Sequence, residues 1–184
     1  MHYVQIDLFG KVGVGKTTIY NHFKGDRHMK HGGNLVEDWR VFYAKCWIFK
    51  ERFKNYMVFL SDPKFDMRWR DLDVKFLEEK FEPTNIVMVV TDSTPEDVVA
   101  VKNSLKLLPK LKLGLITFVL ANKQDLPDAL SVSEIKERLS TNDVYGLSAL
   151  SPDAKEILEE AFLEAKNRYL LMLSKRNEQL DLID

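Results

Sequence analysis

The sequence predicts an α/β fold, a doubly wound layer sandwich, on three observations. Short apolar runs alternate with helical segments along the chain. A glycine-rich turn stands between the first apolar run and the first helix. No internal repeat, low-complexity tract or linker interrupts the alternation.

Each element follows from its residues. Val4 to Phe9, bounded by Gly10, reads as a short buried strand. A helix follows from about Lys16 to Phe23, and the polar Gly25 to Asn34, with Gly32-Gly33, reads as a loop. Trp39 to Phe49 and Tyr56 to Leu60 are rich in aromatic and branched residues. With the polar Lys50 to Asn55 between them they predict an antiparallel hairpin. Its aromatics (Trp39, Phe42, Tyr43, Trp47, Phe49) are either core or a docking surface. Leu72 to Phe81 reads as helical. Ile86 to Val90 is a continuous apolar run, as in a central strand covered on both faces.

Thr94-Pro95-Glu96-Asp97 starts a helix: a capping hydroxyl, proline in the first turn, and acids against the positive helix end. The lysines at 102, 106, 110 and 112 then form either a solvated face or a basic docking patch. Leu115 to Ala121 is a further buried strand, and Ser131-Val132-Ser133-Glu134 is a capping box opening a helix. Val144 to Leu147 is a short strand, and Ser151-Pro152-Asp153 opens a long last helix. Its Ile157, Leu158, Ala161, Phe162, Ala165, Tyr169, Met172 and Leu173 recur mostly at intervals of three and four, which predicts one face packed on the sheet. A partner-binding extension past Tyr169 is the other reading.

The bulk properties bound the function. The 184 residues are 45% hydrophobic and 30% charged, which fits one soluble domain over residues 1–184. The net charge of -1 gives no global attraction to nucleic acid or an anionic membrane. Cys46 is the single cysteine, so a reducing, cytoplasmic setting is expected. No signal peptide or apolar run of membrane-spanning length is visible. His2 and the ending Leu-Ile-Asp carry no acylation or prenylation motif, so membrane contact is expected only through a partner.

Gly10-Lys11-Val12-Gly13-Val14-Gly15-Lys16-Thr17 matches G-x-x-x-x-G-K-[ST] in full, after a buried strand and before a helix. Glycines let the backbone curl so that its N–H groups face phosphate oxygens. The helix N-terminus adds partial positive charge. Lys16 supplies a full charge to the outer phosphates and is the catalytic candidate; the Thr17 hydroxyl suits magnesium.

Asn122-Lys123-Gln124-Asp125 closes the strand Leu115 to Ala121 and is the N-K-x-D pattern. The Asp125 carboxylate suits the N1–H and exocyclic amino group of guanine, a pair of donors that adenine lacks. The Lys123 stem suits the base plane, and Asn122 can tie this loop to the phosphate loop. Ser148-Ala149-Leu150, after the next strand, can offer a backbone N–H to guanine O6. Ligands in open α/β sheets bind at the carboxyl ends of strands, where all these segments fall.

With those motifs, Ala121 to Leu130 leading to Glu134-Ile135, and Val89 to Ser93, the chain resembles the Ras-like small GTPases, and most of all their Arf and Arf-like branch. It is more distantly similar to the beta subunit of the signal recognition particle receptor. The resemblance implies a three-layer P-loop NTPase fold. Its sheet would have six mostly parallel strands, one of them an antiparallel hairpin strand, with about five helices. It implies bound GTP or GDP with magnesium, and effector or regulator proteins. Carried over, Gly13, Val14, Gly15, Lys16, Thr17 and Thr18 would hold phosphates. Asn122, Lys123, Asp125, Ser148, Ala149 and Leu150 would hold guanine, and Thr17 and Asp62 the metal.

The chain departs from that family in its switches. No threonine lies between Thr18 and Thr84, where a first switch supplies one. Ser61 to Arg70 offers two registers for the second switch. In one, Asp62 is the aspartate of D-x-x-G with Phe65 at the glycine. In the other, Trp69-Arg70 is matched to the Arf pair, and Asp62 moves toward the glutamine. No glutamine lies between Gln5 and Gln124, and Val12 fills a position often held by glycine. His28, His31, Asp62 and Asp66 are each a solvated loop residue or a substitute for the missing groups. The expectation is therefore a guanine-nucleotide switch with slow intrinsic hydrolysis; the alternative is a non-hydrolysing GTP-binding module.

Overall fold

The computed structural model describes residues 2–23, 43–46, 56–61, 84–110 and 114–180. The elements are β1 (His2–Phe9), α1 (Lys16–Asn21), β2 (Tyr43–Cys46), β3 (Tyr56–Ser61), β4 (Ile86–Thr91) and α2 (Pro95–Leu107). A short 3-10 turn (Leu108–Lys110) follows, then β5 (Ile116–Ala121), α3 (Val132–Leu139), β6 (Val144–Gly146) and α4 (Ala154–Leu180). The strands lie in the order β2-β3-β1-β4-β5-β6. β1, β4, β5 and β6 are parallel, and β3 is parallel to β1. β2 runs antiparallel to β3, with Tyr43 opposite Ser61. This is the α/β class with a parallel sheet. The remainder of the expected hairpin and the helix expected over 72–81 lie outside the described residues.

Side-chain alternation divides the core into two layers. Ile86, Met88 and Val90 join Val4, Ile6 and Leu8 on one face of the sheet, under α1 and α4. Val87 and Val89 join Phe9 on the other, under Val98 and Val101 of α2 and Ile135 and Leu139 of α3. All six residues of β4 are buried, which is why it reads as an unbroken apolar run. On α4, Ala154, Leu158, Ala161, Phe162 and Ala165 are buried, and the Phe162 ring lies 5.2 Å from that of Phe23. Tyr169 packs at the edge and accepts from Asn85 Nδ2 at 2.9 Å. Met172 and Leu173, expected on the same face, are half-buried and outside that cluster.

The helix starts are those the sequence encodes. Thr94 caps α2 by accepting from the Asp97 amide, with Pro95 as the first helical residue. Ser131 and Glu134 close a reciprocal capping box on α3. Lys102, Lys106 and Lys110 are exposed on or just after α2, and Lys112 lies outside the described residues. Arg168 of α4 pairs with Asp143 at 2.6 Å and with Glu164, and it lies 4.7 Å over the Phe118 ring. Glu164 also takes the Tyr145 hydroxyl proton in a hydrogen bond. This network fastens α4 to β6 and so fixes the segment that leaves β6.

Candidate functional site

The parallel strands deliver their carboxyl ends to one edge, at Phe9, Thr91, Ala121 and Gly146. The phosphate-loop sequence turns from β1 into α1 there. Gly13 and Gly15 have φ of 87° and 101°, backbone that L side chains rarely adopt. Gly15 also leaves no room: a Cβ would lie 2.2 Å from Asn122 Nδ2. Lys16 is buried beneath the turn, and its Nζ donates to the Gly10 and Lys11 carbonyls, each at 2.8 Å. These two bonds set where its charge sits. Thr17 is exposed at the helix start, Thr18 is half-buried and Val14 is buried. Val12 is 62% exposed on the loop.

Asn122 is the junction of the site. It is 2% exposed, its Nδ2 donates to the Val14 carbonyl, and its Oδ1 accepts from the Ala149 amide, both at 2.8 Å. One side chain thus joins the phosphate loop to both segments expected to hold a base. The Ala149 amide is engaged in this bond, so any contact it makes to a base carbonyl is a shared one. Ser93 Oγ donates to the Asn122 carbonyl at 2.6 Å. Lys123, half-buried, takes a φ of 62° and turns the chain back, with the Leu126 amide donating to its carbonyl.

Asp125 is exposed on that turn. The Ser148 hydroxyl beside it and a backbone N–H hold its carboxyl below the usual range, so the group stays ionised. Ser148 is half-buried, Ala149 is buried and Leu150 is 85% exposed. The expected base-binding residues therefore stand together, with Asp125 and Leu150 on the open side. Of the expected metal residues, Thr17 stands at the loop mouth and Asp62 lies outside the described residues, as do His28, His31 and Asp66. Among the described residues no group of three or more His, Cys, Asp or Glu is arranged to hold a metal ion.

Three supports were not read from the sequence. Gln124, the variable residue of N-K-x-D, donates to Ser93 Oγ at 2.7 Å and to the Leu130 carbonyl at 3.1 Å, bracing the turn from beneath. His22, just past α1, lies with Nε2 2.7 Å from the Ala149 carbonyl, so that nitrogen carries the proton. Lys11 reaches Asp92 at 2.9 Å and Asp97 at 3.2 Å. The pairings of Gln124 with Ser93, of His22 with Ala149 and of Lys11 with Asp92 and Asp97 have no local sequence signal, because each joins segments far apart in the chain.

A glycine-rich phosphate loop tied through asparagine to an N-K-x-D turn defines the class: a guanine-nucleotide-binding small GTPase, a molecular switch. Residues 69–169 match the ADP-ribosylation factor family, Arf, and with more than half of the chain matched the protein belongs to that family. It is similar to ADP-ribosylation factor-like protein 2 of Drosophila melanogaster, 26% identical over 194 residues, covering 97% of this chain and 91% of that protein. Among solved structures it is similar in fold to the Arl6 BBS3 small GTPase from Trypanosoma brucei with bound nucleotide analogue GppNp. The TM-score is 0.62 and the identity 19%, covering 91% of this chain and 97% of that one. The resemblance to the Arf-like branch is thus shown. Members of this family generally hydrolyse GTP, usually depend on magnesium, and work through effectors and regulators.

Proposed function

We propose that this chain is itself a GTP-hydrolysing switch of low intrinsic rate, built as one G domain over residues 1–184. The observation that carries the reading is the Asn122 junction, which holds the phosphate and guanine segments in one frame. In this reading the sheet has six strands, with one antiparallel hairpin strand, and about five helices.

Loop amides from Gly13 to Thr18 and the Lys16 ammonium receive the phosphates. Asp125 and the Ser148–Leu150 segment receive guanine. Thr17, exposed beside buried Lys16, and Asp62 are the residues that would hold magnesium in this reading. When bound, the metal supplies positive charge to the outer phosphates. Effectors or regulators are the expected partners, with no nucleic acid. The proposed setting is cytoplasmic.

The slow rate follows from what the switch sequences lack. Phosphoryl transfer needs water positioning and charge stabilisation more than covalent chemistry from the protein. Lys16 and the loop amides provide part of the charge. The water-orienting glutamine has no counterpart between Gln5 and Gln124, and no glycine follows Asp62 at the D-x-x-G spacing. Single-turnover hydrolysis of prebound GTP tests this. The expected rate is at or below about 10⁻⁴ s⁻¹, the scale of an unassisted small GTPase, rising when cell extract is added. No phosphate release above the uncatalysed background in either condition would leave a non-hydrolysing binding module instead.

A further inference from the structure

We propose that Lys11 is a positioning residue: its side chain straps the phosphate loop to the start of α2 and so fixes the carbonyls that hold Lys16. The inference rests on the nucleotide reading above. The anchor is built before Lys11 reaches it. Asp97 is 1% exposed, and its Oδ2 accepts from Thr91 Oγ1 at 2.7 Å and from the Asp92 amide at 3.0 Å. Asp92 Oδ1 accepts from the Thr94 amide at 3.2 Å and from Thr94 Oγ1 at 2.7 Å. Both carboxylates are thereby fixed, Asp92 on the turn after β4 and Asp97 in the first turn of α2.

One oxygen of each carboxylate faces Lys11. Asp92 Oδ2 lies 2.9 Å from Lys11 Nζ, and Asp97 Oδ1 lies 3.2 Å from it. Among the described residues Asp97 Oδ1 accepts no hydrogen bond of good geometry, so this ammonium is its charge partner. A buried carboxylate with one oxygen otherwise unmet holds a cation strongly. Burial works against the charge on Lys11, yet the hydrogen bond to Asp92 and the field of Asp97 outweigh it and raise its pKa.

The same residue serves the loop through its backbone. The Lys11 carbonyl is one of the two acceptors of Lys16 Nζ. Its side chain, held by Asp92 and Asp97, therefore sets the peptide whose carbonyl holds Lys16. Lys16 meets the outer phosphates, so the strap acts on nucleotides with a β-phosphate and leaves the guanine contacts alone.

The test is release of a fluorescent GDP from the full-length chain, chased with excess GDP, together with equilibrium affinity for GMP. Charge-assisted hydrogen bonds are strong, but the Lys11 side chain is 35% exposed and partly screened. Lys11→Met is accordingly expected to release GDP about tenfold faster, equivalent to about 1.4 kcal/mol, with GMP affinity unchanged. Asp92→Asn is expected to fall between, and Lys11→Arg, which keeps the cation, to restore slow release. Equal GDP release by wild type and Lys11→Met overturns the strap alone. So does parallel loss of GMP and GDP affinity, which marks general destabilisation, or failure of Lys11→Arg to restore slow release. A wild-type chain that retains no GDP overturns the nucleotide reading and the strap with it.

Discussion

Asp125 carries the choice of base on one carboxylate. The group is exposed and kept ionised by the Ser148 hydroxyl and a backbone N–H, so it presents acceptors only. Guanine offers two donors on the matching edge. An amide at this position would donate where the carboxylate accepts, which suits the extra carbonyl of xanthine. Each mismatched charged hydrogen bond costs about 1.5–3 kcal/mol. Asp125→Asn is therefore expected to lose guanine nucleotide affinity by about a hundredfold and to prefer xanthine nucleotides. Competition binding with GDP and XDP reads this directly, and an unchanged preference for GDP would refute the base assignment. Neighbouring Gln124 shows the opposite pattern. It is the residue the motif leaves free, yet it braces the turn through Ser93 and Leu130.

At the level of elements, α3 shows how a local signal becomes a tertiary one. Ser131 accepts from the Glu134 amide, and Glu134 Oε2 accepts from the Ser131 amide at 2.9 Å. The box fixes where α3 begins, and Val132 then packs so close to Gly146 that a Cβ there would lie 2.3 Å from it. Ser131→Ala is expected to cost about 1 kcal/mol in urea unfolding, with nucleotide release unchanged. A loss of nucleotide at constant stability would show that the cap acts on the site instead. Such caps were legible in the sequence because all their partners lie within one turn. The buried strands were legible because Ile86 to Val90 and Leu115 to Ala121 have no polar face to confuse the reading. The supports from Lys11 and His22 were not. His22 and Ala149 stand 127 residues apart, and only the parallel order of β1, β4, β5 and β6 brings such pairs together. The same limit made Asp97 look like a helix-dipole residue when it is also the buried anchor of the phosphate loop.

Over the whole molecule, the parallel sheet turns four separate loops into one binding edge, and Asn122 decides whether they act as one. Removing its side chain leaves the Val14 carbonyl and the Ala149 amide without their partner. Each such buried group costs about 1–3 kcal/mol. The loss falls twice, because the frame that loosens is the frame the nucleotide must find ordered. A ligand that binds only the folded state adds RT ln(1 + [L]/Kd), about 4 kcal/mol at a thousandfold excess over Kd. For the wild type, saturating GDP is expected to raise the unfolding free energy by that increment, and the unfolding midpoint with it. Lys16→Ala should keep most of the unliganded stability and lose the increment, since its charge acts on phosphate. Asn122→Ala should lower both. Ser131→Ala should lower the first and keep the second. Thermal unfolding of the four proteins with and without GDP separates these patterns. An Asn122→Ala chain that kept the full GDP increment would show that the loops bind independently and that the junction is only structural.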